Sequence, residues 1–343
     1  MMKFKFLFLF GLSILLAACG NGSGDSNNAN NQAATVDSLL QVLNGKITSD
    51  PNNYSNYLER AAYYTSKLDF SSALQDIDRA IAVDSTKGDI FLMKGDIHFK
   101  MQNDKQAYQE YMHCIALSPE NTDCLLKKAA LDIVNRQYSY AIENINNALK
   151  VNNALPYAYY LKGRLYKETG DTTLAFSSYQ TAVEVDPTYY DAYIEAGLLY
   201  HKQKNNIAAD YYRSAIEVKP RYIEPWYNLG MFYQETGNTK NDHFNKAFAC
   251  YDTILSIDPR FASAYFNKGF IMLEYQQKYD SSAVQFSKAI EILPGYFQAY
   301  YNRGLCYESM DNFKQAEADY RMALQIQPQY TAAAKALSRV LGE

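Results

Sequence analysis

One unit of about 34 residues recurs eight times between Tyr54 and Tyr330. Each copy carries a small residue near its middle, and successive small residues are 34, 34, 34, 34, 33, 39 and 35 positions apart. A period of this length is typical of arrays in which each unit is one supersecondary structure that packs against its neighbours. The small positions are Ala61, Gly95, Ala129, Gly163, Gly197, Gly230, Gly269 and Gly304.

Each unit has the residue spacing of two amphipathic helices. A large apolar residue stands four residues before each small position, and a second segment repeats the offset of four, which is helical rather than strand-like. That second segment has a small residue, usually Ala, followed four residues later by a large apolar residue that we call the second-helix core position. In six units a proline then follows, where it ends the helix. The second-helix core positions are Ile77, Tyr111, Ile145, Tyr179, Tyr212, Tyr251, Phe286 and Tyr320.

This pattern resembles the tetratricopeptide repeat over residues 54–330, with local departures such as Asp132, where an aromatic residue is usual. The resemblance implies an all-α fold, a right-handed superhelical solenoid of about eight antiparallel helix pairs. The predicted repeats are 54–87, 88–121, 122–155, 156–189, 190–222, 223–261, 262–296 and 297–330.

Apolar stripes on both sides of the array predict a capping helix at each end. Residues 35–53 carry Val36, Leu39, Leu40, Leu43 and Ile47 at helical spacing, and residues 331–343 carry Ala333, Leu337, Val340 and Leu341. Each stripe would cover the apolar face of a terminal repeat.

The first nineteen residues indicate export. Lys3 and Lys5 precede an apolar run that ends at Ala18, before Cys19, as in a secretory signal. Residues 16–19, Leu-Ala-Ala-Cys, resemble the lipobox of bacterial lipoproteins, which implies that residues 1–18 are removed and that Cys19 is diacylated. The alternative, an uncleaved membrane anchor, is disfavoured because the run is shorter than the roughly 20 residues that span a bilayer.

Residues 19–34 are predicted to be a flexible tether, because Gly, Asn, Ser and Gln cannot bury a core. The protein is thus expected in the bacterial cell envelope, attached to a membrane by its lipid. Gly20 is not the Asp that resembles an inner-membrane retention signal, so the outer membrane is favoured and its face stays open.

Charge and motifs exclude several functions. Removing residues 1–18 takes away two lysines and no acid, so the formal charge falls from −4 to −6, and nucleic acid is not an expected partner. The sequence has no HExxH, no phosphate-binding loop and no GxSxG motif, so we expect no enzyme, no cofactor and no metal.

Four cysteines follow Cys19. Cys114 and Cys306 resemble small core residues, and no CxxC pair supports a zinc site. A bridge between Cys114 and Cys124 is the alternative, because export would permit it.

Two rows of side chains are expected on the concave face that first helices line in such arrays. Row A stands three residues before each small position, and row B stands one residue after it. In repeats one to four, row A is Leu58, Leu92, Leu126 and Tyr160, and row B is Ala62, Asp96, Ala130 and Arg164.

From repeat five onward both rows are apolar. Row A is then Ile194, Tyr227, Phe266 and Tyr301, row B is Leu198, Met231, Phe270 and Leu305, and Asn228, Asn267 and Asn302 are expected along the rim. These residues predict a groove for a helix or an extended segment of a protein partner, with the asparagines bonding its backbone. Part of the pattern is also ordinary repeat packing.

Two functions remain in competition. The first is a lipid-anchored, non-enzymatic scaffold that binds envelope proteins in this groove, for envelope assembly, secretion or the regulation of cell-wall enzymes. The second is a glycan or peptidoglycan binder that stacks sugars on exposed rings such as Tyr160, Tyr227 and Tyr301. The sequence leaves the partner, the pathway and the oligomeric state open.

We predict that Cys19→Ser releases the protein from membranes without unfolding it, because the diacyl group would be the anchor. Fractionation of cells into membrane and soluble material, with circular dichroism of the purified variant, measures both effects. A variant that still sediments with membranes would contradict this assignment of the anchor.

Overall fold

The computed structural model describes residues 26–343 apart from Thr239, with side chains from residue 38 onward. Eighteen α-helices and no strand occur in this range. They fall into two compact units, Met1–Asn103 and Asp104–Glu343. None of the helices in the described range has the length and apolarity needed to cross a bilayer. The predicted signal peptide and Cys19 lie outside the described residues.

The first unit contains a long helix, one helix pair and the first helix of the next repeat. Leu43, only 5% exposed, and the partly buried Ile47 lie on α1. The side-chain amide of Asn56, on α2, donates hydrogen bonds to the carbonyl oxygens of Lys46 at 3.2 Å and Asp50 at 3.1 Å. These contacts hold the end of α1 against α2. The helices are α1 Ser26–Ser49, α2 Tyr54–Ser66, α3 Phe70–Val83 and α4 Gly88–Lys100.

Helix α1 corrects the expected boundary between tether and cap. It begins at Ser26 and ends at Ser49, so it occupies much of the segment 19–34 that the sequence predicts to be flexible. Alanine and glutamine between residues 26 and 34 favour helix, and extending an existing helix costs far less than starting one. Residues 19–25 lie outside the described range. Leu39 of the predicted stripe is 50% exposed and does not belong to the core.

The second unit contains fourteen helices. From α6 onward each first helix packs against the following second helix, and each pair contacts the next. The helices are α5 Asp104–Leu117, α6 Thr122–Val134, α7 Tyr138–Val151, α8 Pro156–Thr169, α9 Thr172–Val185, α10 Tyr190–Lys202, α11 Ile207–Val218, α12 Ile223–Thr236, α13 His243–Ile257, α14 Ala262–Glu274, α15 Tyr279–Ile292, α16 Phe297–Ser309, α17 Phe313–Ile326 and α18 Thr331–Leu341.

In five repeats the small position of the first helix is a glycine that lies directly against the ring of the second helix. A Cβ on Gly197 would stand 2.6 Å from Cε1 of Tyr212, and one on Gly304 would stand 2.6 Å from Cε1 of Tyr320. The same contact joins Gly163 to Tyr179, Gly230 to Tyr251 and Gly269 to Phe286. The side chains of Tyr212 and Tyr320 are fully buried. Small residues therefore recur because the ring fills the space that a side chain would need.

A buried polar cluster accounts for Asp132. Its carboxylate, fully buried, accepts hydrogen bonds from Lys128 Nζ at 2.8 Å and Asn144 Nδ2 at 3.2 Å. Lys128 also lies over the rings of Tyr108 and Tyr140. Burial by itself would lower the pKa of Lys128, but its hydrogen bonds to Asp132 and Tyr108 raise it above the usual value. The charged pair thus replaces the usual aromatic contact in repeat three.

Cys114 and Cys124 form a disulfide, so the alternative named from the sequence holds and the interpretation of Cys114 as a simple small core residue is wrong. Cys114 lies near the end of α5 and Cys124 in the first turn of α6, so the short connection between the helices brings their Cα atoms to 6.1 Å. Both side chains are fully buried. The bridge fastens α5 to α6 within the second unit.

Helix α18 packs on α17 through a stripe that differs from the expected one by two residues. Ala333 and Ala336 are buried, and Leu337 and Val340 pack against the same cluster, whereas Leu341 is 40% exposed. Leu341 is the last residue of the helix and extends beyond the neighbouring helix. Arg339 also binds Glu308 of α16, with Nε at 2.5 Å from Oε1.

We predict that Gly197→Ala lowers the free energy of unfolding by about 1–3 kcal/mol, because its methyl group would press on the ring of Tyr212. The matched control is Gly45→Ala in α1, where a Cβ meets nothing within 4 Å, and which should stabilise by about 0.5–1 kcal/mol through helix propensity. Urea unfolding followed by circular dichroism measures both. An unchanged midpoint for Gly197→Ala would contradict the close contact.

Candidate functional site

The expected groove residues of repeats five to eight lie on four consecutive first helices of the second unit, α10, α12, α14 and α16. Contacts between α10 and α12 and between α14 and α16 place these helices side by side, and hydrogen bonds from Asn267 join α14 to α12. The two rows therefore run across one surface made by adjacent helices.

The side chains of row A take part mainly in packing between repeats. Ile194 is only 5% exposed, which corrects its placement in the groove. The other members pack against the aromatic residue that precedes the next first helix. Ring centroids are 5.8 Å apart for Tyr227 and Phe261, 4.8 Å for Phe266 and Tyr296, and 5.2 Å for Tyr301 and Tyr330.

Row A rings also cover the second-helix core position of their own repeat. The centroid distances are 6.5 Å from Tyr227 to Tyr251 and 5.5 Å from Phe266 to Phe286. A row A ring therefore contacts both the second helix of its own repeat and the start of the next repeat, and it remains partly exposed.

Row B supplies the accessible apolar surface. Leu198 is 38% exposed, and Met231, Phe270 and Leu305 are partly exposed. Each stands one residue after a small position, so the four recur once per repeat on adjacent helices. This regular apolar row is the part of the predicted groove that a partner could contact.

Two of the three predicted rim asparagines are not on a rim. Asn267 and Asn302 are 6% and 7% exposed. Asn267 Nδ2 donates to Tyr227 OH at 3.5 Å and to Met231 Sδ at 3.3 Å, and Asn302 Nδ2 donates to the carbonyl oxygen of Gln298 at 2.8 Å. The two amides are satisfied within the protein, Asn267 by the neighbouring helix α12 and Asn302 by its own helix, so neither is free to bond a partner backbone. Asn228 is partly exposed.

The layer beneath the rows contains polar pairs that the sequence analysis does not identify. In three repeats the hydroxyl of the second-helix tyrosine meets a polar side chain four residues after the small position. These pairs are Tyr212 OH with His201 Nδ1 at 3.2 Å, Tyr251 OH with Gln234 Oε1 at 2.8 Å and Tyr320 OH with Glu308 Oε2 at 2.5 Å. In repeat seven, Phe286 and Leu273 occupy the same two positions. The sequence does contain a pattern that could have found these pairs. In these four repeats a tyrosine at the second-helix core position occurs with a polar residue four positions after the small residue, and a phenylalanine occurs with an apolar one.

Burial sets the protonation of these groups. It raises the pKa of Tyr251 well above the usual value, so the hydroxyl stays protonated and donates to Gln234. Burial also raises the pKa of the free thiols, to about 12 for Cys250 and about 11 for Cys306. Thiols that stay protonated at neutral pH are poor nucleophiles. Within residues 38–343, no group of three His, Cys, Asp or Glu side chains is placed to hold a metal ion.

Three segments of the chain match models of known repeat families. Models described as "Tetratricopeptide repeat" match residues 88–121 and 297–330, and one described as "TPR repeat" matches residues 163–204. These segments correspond to predicted repeats two and eight and to parts of repeats four and five.

Relatives with known names resemble the chain weakly but over much of its length. The mouse DnaJ homolog subfamily C member 7 is 23% identical over 299 residues, covering 80% of this chain and 60% of that protein. Human Tetratricopeptide repeat protein 6 is 22% identical over 314 residues, covering 88% of this chain and 52% of that protein. The chain thus spans less than two thirds of these relatives.

Solved structures share the fold. The C-terminal part of a TPR repeat-containing protein from Cytophaga hutchinsonii superposes with a TM-score of 0.61 at 20% identity, covering 72% of this chain and 99% of that one. Pseudomonas aeruginosa PilF gives a TM-score of 0.52 at 13% identity, covering 60% of this chain and 92% of that one.

We predict that Phe266→Ala lowers the free energy of unfolding by about 3 kcal/mol or more, because it removes a ring packed against Phe286 and Tyr296. Leu198→Ala, at an exposed row B site, should cost less than about 1 kcal/mol. Chemical unfolding of both variants tests this division between the rows, and equal losses would contradict it.

Proposed function

Because the chain is a tetratricopeptide-repeat protein, we propose that it is a non-enzymatic scaffold that binds a segment of another envelope protein along row B. Proteins built from these repeats generally mediate contacts between proteins. The partner would be an amphipathic helix or an extended segment with aliphatic side chains at intervals that match the repeats.

The observation that carries this proposal is the line of partly exposed apolar side chains that row B forms on adjacent helices, beside row A rings that pack between repeats. Leu198, at 38% exposure, begins a line that Met231, Phe270 and Leu305 continue. Exposed apolar side chains in a contiguous line on rigid helices are typical of protein-binding surfaces. Row A and the tyrosines beneath it hold that line in place, so a partner would meet a preformed surface rather than a flexible one.

Attachment to the envelope is the second part of the proposal. It rests on the sequence from Lys3 to Cys19, with a diacylated Cys19 as the anchor and the outer membrane as the favoured location. The disulfide between Cys114 and Cys124 supports export, because such bonds persist in oxidising compartments such as the bacterial periplasm.

Glycan binding receives less support from the arrangement of the rings. Tyr227 and Tyr301 pack their rings against Phe261 and Tyr330, and Tyr160 packs against Tyr189 with centroids 5.6 Å apart. Stacking on a sugar needs a free ring face, and these partly buried rings already pack against other rings of the protein. We therefore propose protein binding as the function.

The test is cross-linking in cells that produce the tagged, full-length protein, followed by purification and mass spectrometry of its neighbours. We expect one or two envelope proteins to be captured, and to be lost in Met231→Asp and Phe270→Asp, which place a charge on row B. A change to a charged side chain at an apolar contact should weaken binding by at least about tenfold.

Val284→Asp is the matched control, because Val284 is 52% exposed on the second helix of the repeat that contains Phe270. It should leave the captured proteins unchanged. Identical neighbours for Met231→Asp and the unmodified protein would contradict binding on row B, and capture of cell-wall fragments alone would favour the glycan function.

A further inference from the structure

Repeat four breaks the pattern of tyrosine partners. Tyr179 occupies the second-helix core position, and its side chain is fully buried. Its hydroxyl has no hydrogen-bond partner among the described residues, whereas the equivalent hydroxyls of Tyr212, Tyr251 and Tyr320 each have one. An unsatisfied buried hydroxyl costs roughly 1–3 kcal/mol, so its retention requires an explanation.

The cause of the missing bond is the direction that Lys167 takes. Lys167 stands four residues after Gly163, where His201, Gln234 and Glu308 stand in the other repeats. Instead of meeting the tyrosine, its Nζ binds Glu195 Oε2 of the next repeat at 2.6 Å. The pair leaves the Tyr179 hydroxyl without a neighbour and neutralises Glu195.

Arg164 is the second unusual group in this repeat. It occupies row B, where repeats five to eight have apolar residues, and is partly exposed. It forms no hydrogen bond or ion pair with any described residue, unlike Arg60 and Arg303, which bind Asp76 and Asp319. Repeat four therefore presents a cation without a counter-ion at the end of the apolar row.

The equivalent residues of repeat six indicate that the Tyr179 hydroxyl lies on the side of the repeat that carries this arginine. In repeat six the equivalent hydroxyl, that of Tyr251, lies 3.5 Å from the sulfur of Met231, and Met231 occupies the row B position that Arg164 occupies in repeat four. Burial raises the pKa of Tyr179, nearby Glu195 raises it further, and Arg164 acts in the opposite direction. The neutral Tyr179 hydroxyl and the Arg164 guanidinium are therefore near enough to interact electrostatically, and both can donate hydrogen bonds.

Tyrosine rings surround that place. Tyr157 and Tyr160 stack with their centroids 6.2 Å apart, and Tyr160 also packs on Tyr179 at 5.9 Å and Tyr189 at 5.6 Å. Tyr157 and Tyr160 are both partly exposed. An apolar wall beside two donors excludes water from an acceptor that binds there, which strengthens the bond.

We propose that Arg164 and the Tyr179 hydroxyl form a binding site for the carboxylate of an Asp or Glu side chain of the polypeptide that occupies row B. The proposal rests on the proposed function for the existence of that polypeptide. A guanidinium fork matches a carboxylate, and the hydroxyl supplies a further donor to its second oxygen. Because the Tyr179 side chain is fully buried in the free protein, its hydroxyl becomes accessible to the carboxylate only when a neighbouring side chain moves.

The charges near the site are of both signs. Glu195 is neutralised by its pair with Lys167, whereas Asp191, which adds to the effect of burial in raising the pKa of Tyr160 and Tyr189, opposes an anionic ligand. Arg164 is the cation left for a ligand in row B of this repeat. The partner would then be an amphipathic segment with an acidic residue at one end of its series of aliphatic residues. Such a segment would bind along row B in one orientation only.

The test uses three small probes with the full-length protein in detergent at fixed ionic strength: acetyl-Phe-Glu-amide, acetyl-Phe-Gln-amide, and acetyl-Phe-Gln with a free carboxyl terminus. Ligand-observed NMR measures the affinity of each. We expect the Glu probe to bind about tenfold more tightly than its amide twin, and the difference to vanish in Arg164→Gln and fall in Tyr179→Phe.

Stability supplies an independent readout. Tyr179→Phe should raise or preserve the melting temperature of the free protein, because it removes an unpaired hydroxyl. Tyr251→Phe is the matched control and should lower it, because it breaks the bond to Gln234. If the hydroxyl serves binding, Tyr179→Phe should therefore be at least as stable as the unmodified protein but should bind the Glu probe less tightly.

Equal affinities for the Glu and Gln probes would overturn the proposal, as would Glu binding that is unaffected by Tyr179→Phe. Preference for the free carboxyl terminus alone would overturn the assignment to a side chain. A lower melting temperature for Tyr179→Phe would show that the hydroxyl has a partner in the free protein. Loss of cross-linked proteins in Met231→Asp is a separate result, so failure of this site leaves the row B function standing.

Discussion

The contact between a glycine on the first helix and an aromatic ring on the second determines most of this structure. A Cβ added to Gly163, Gly197, Gly230, Gly269 or Gly304 would stand 2.4 to 3.0 Å from the ring of its own repeat. The ring therefore packs closely against the first helix. Helix spacing, the burial of the ring and the position of its hydroxyl all follow from this contact.

The hydroxyl then restricts the residue four positions after the glycine. A buried tyrosine needs a polar partner, and His201, Gln234 and Glu308 supply one, whereas Phe286 needs none and faces Leu273. Repeat four also has a tyrosine at this position, Tyr179, but Lys167 binds Glu195 instead of its hydroxyl. The same constraint that explains the ordinary repeats thus identifies the exception, and places it beside the one row B arginine.

The division between the rows explains why a repeat protein can keep its fold while its surface varies. Row A rings bridge consecutive repeats, as Phe266 does between Phe286 and Tyr296, so changes there disturb packing. Row B residues such as Leu198 stand above that layer and change at little cost to stability. Specificity for a partner can therefore evolve in row B, with Arg164 at one end and apolar side chains beyond it.

The sequence by itself determined the helical class, the repeat period and the place of the small residues, because these depend on spacing along one helix. It also predicted two rows of groove residues, and that prediction remains to be tested. It did not reveal that Ile194, Asn267 and Asn302 are buried, that α1 begins at Ser26, or that Tyr179 lacks a partner. Each of these depends on the side chains and helices that lie beside the residue in space, and only the tertiary structure decides which neighbour occupies that space.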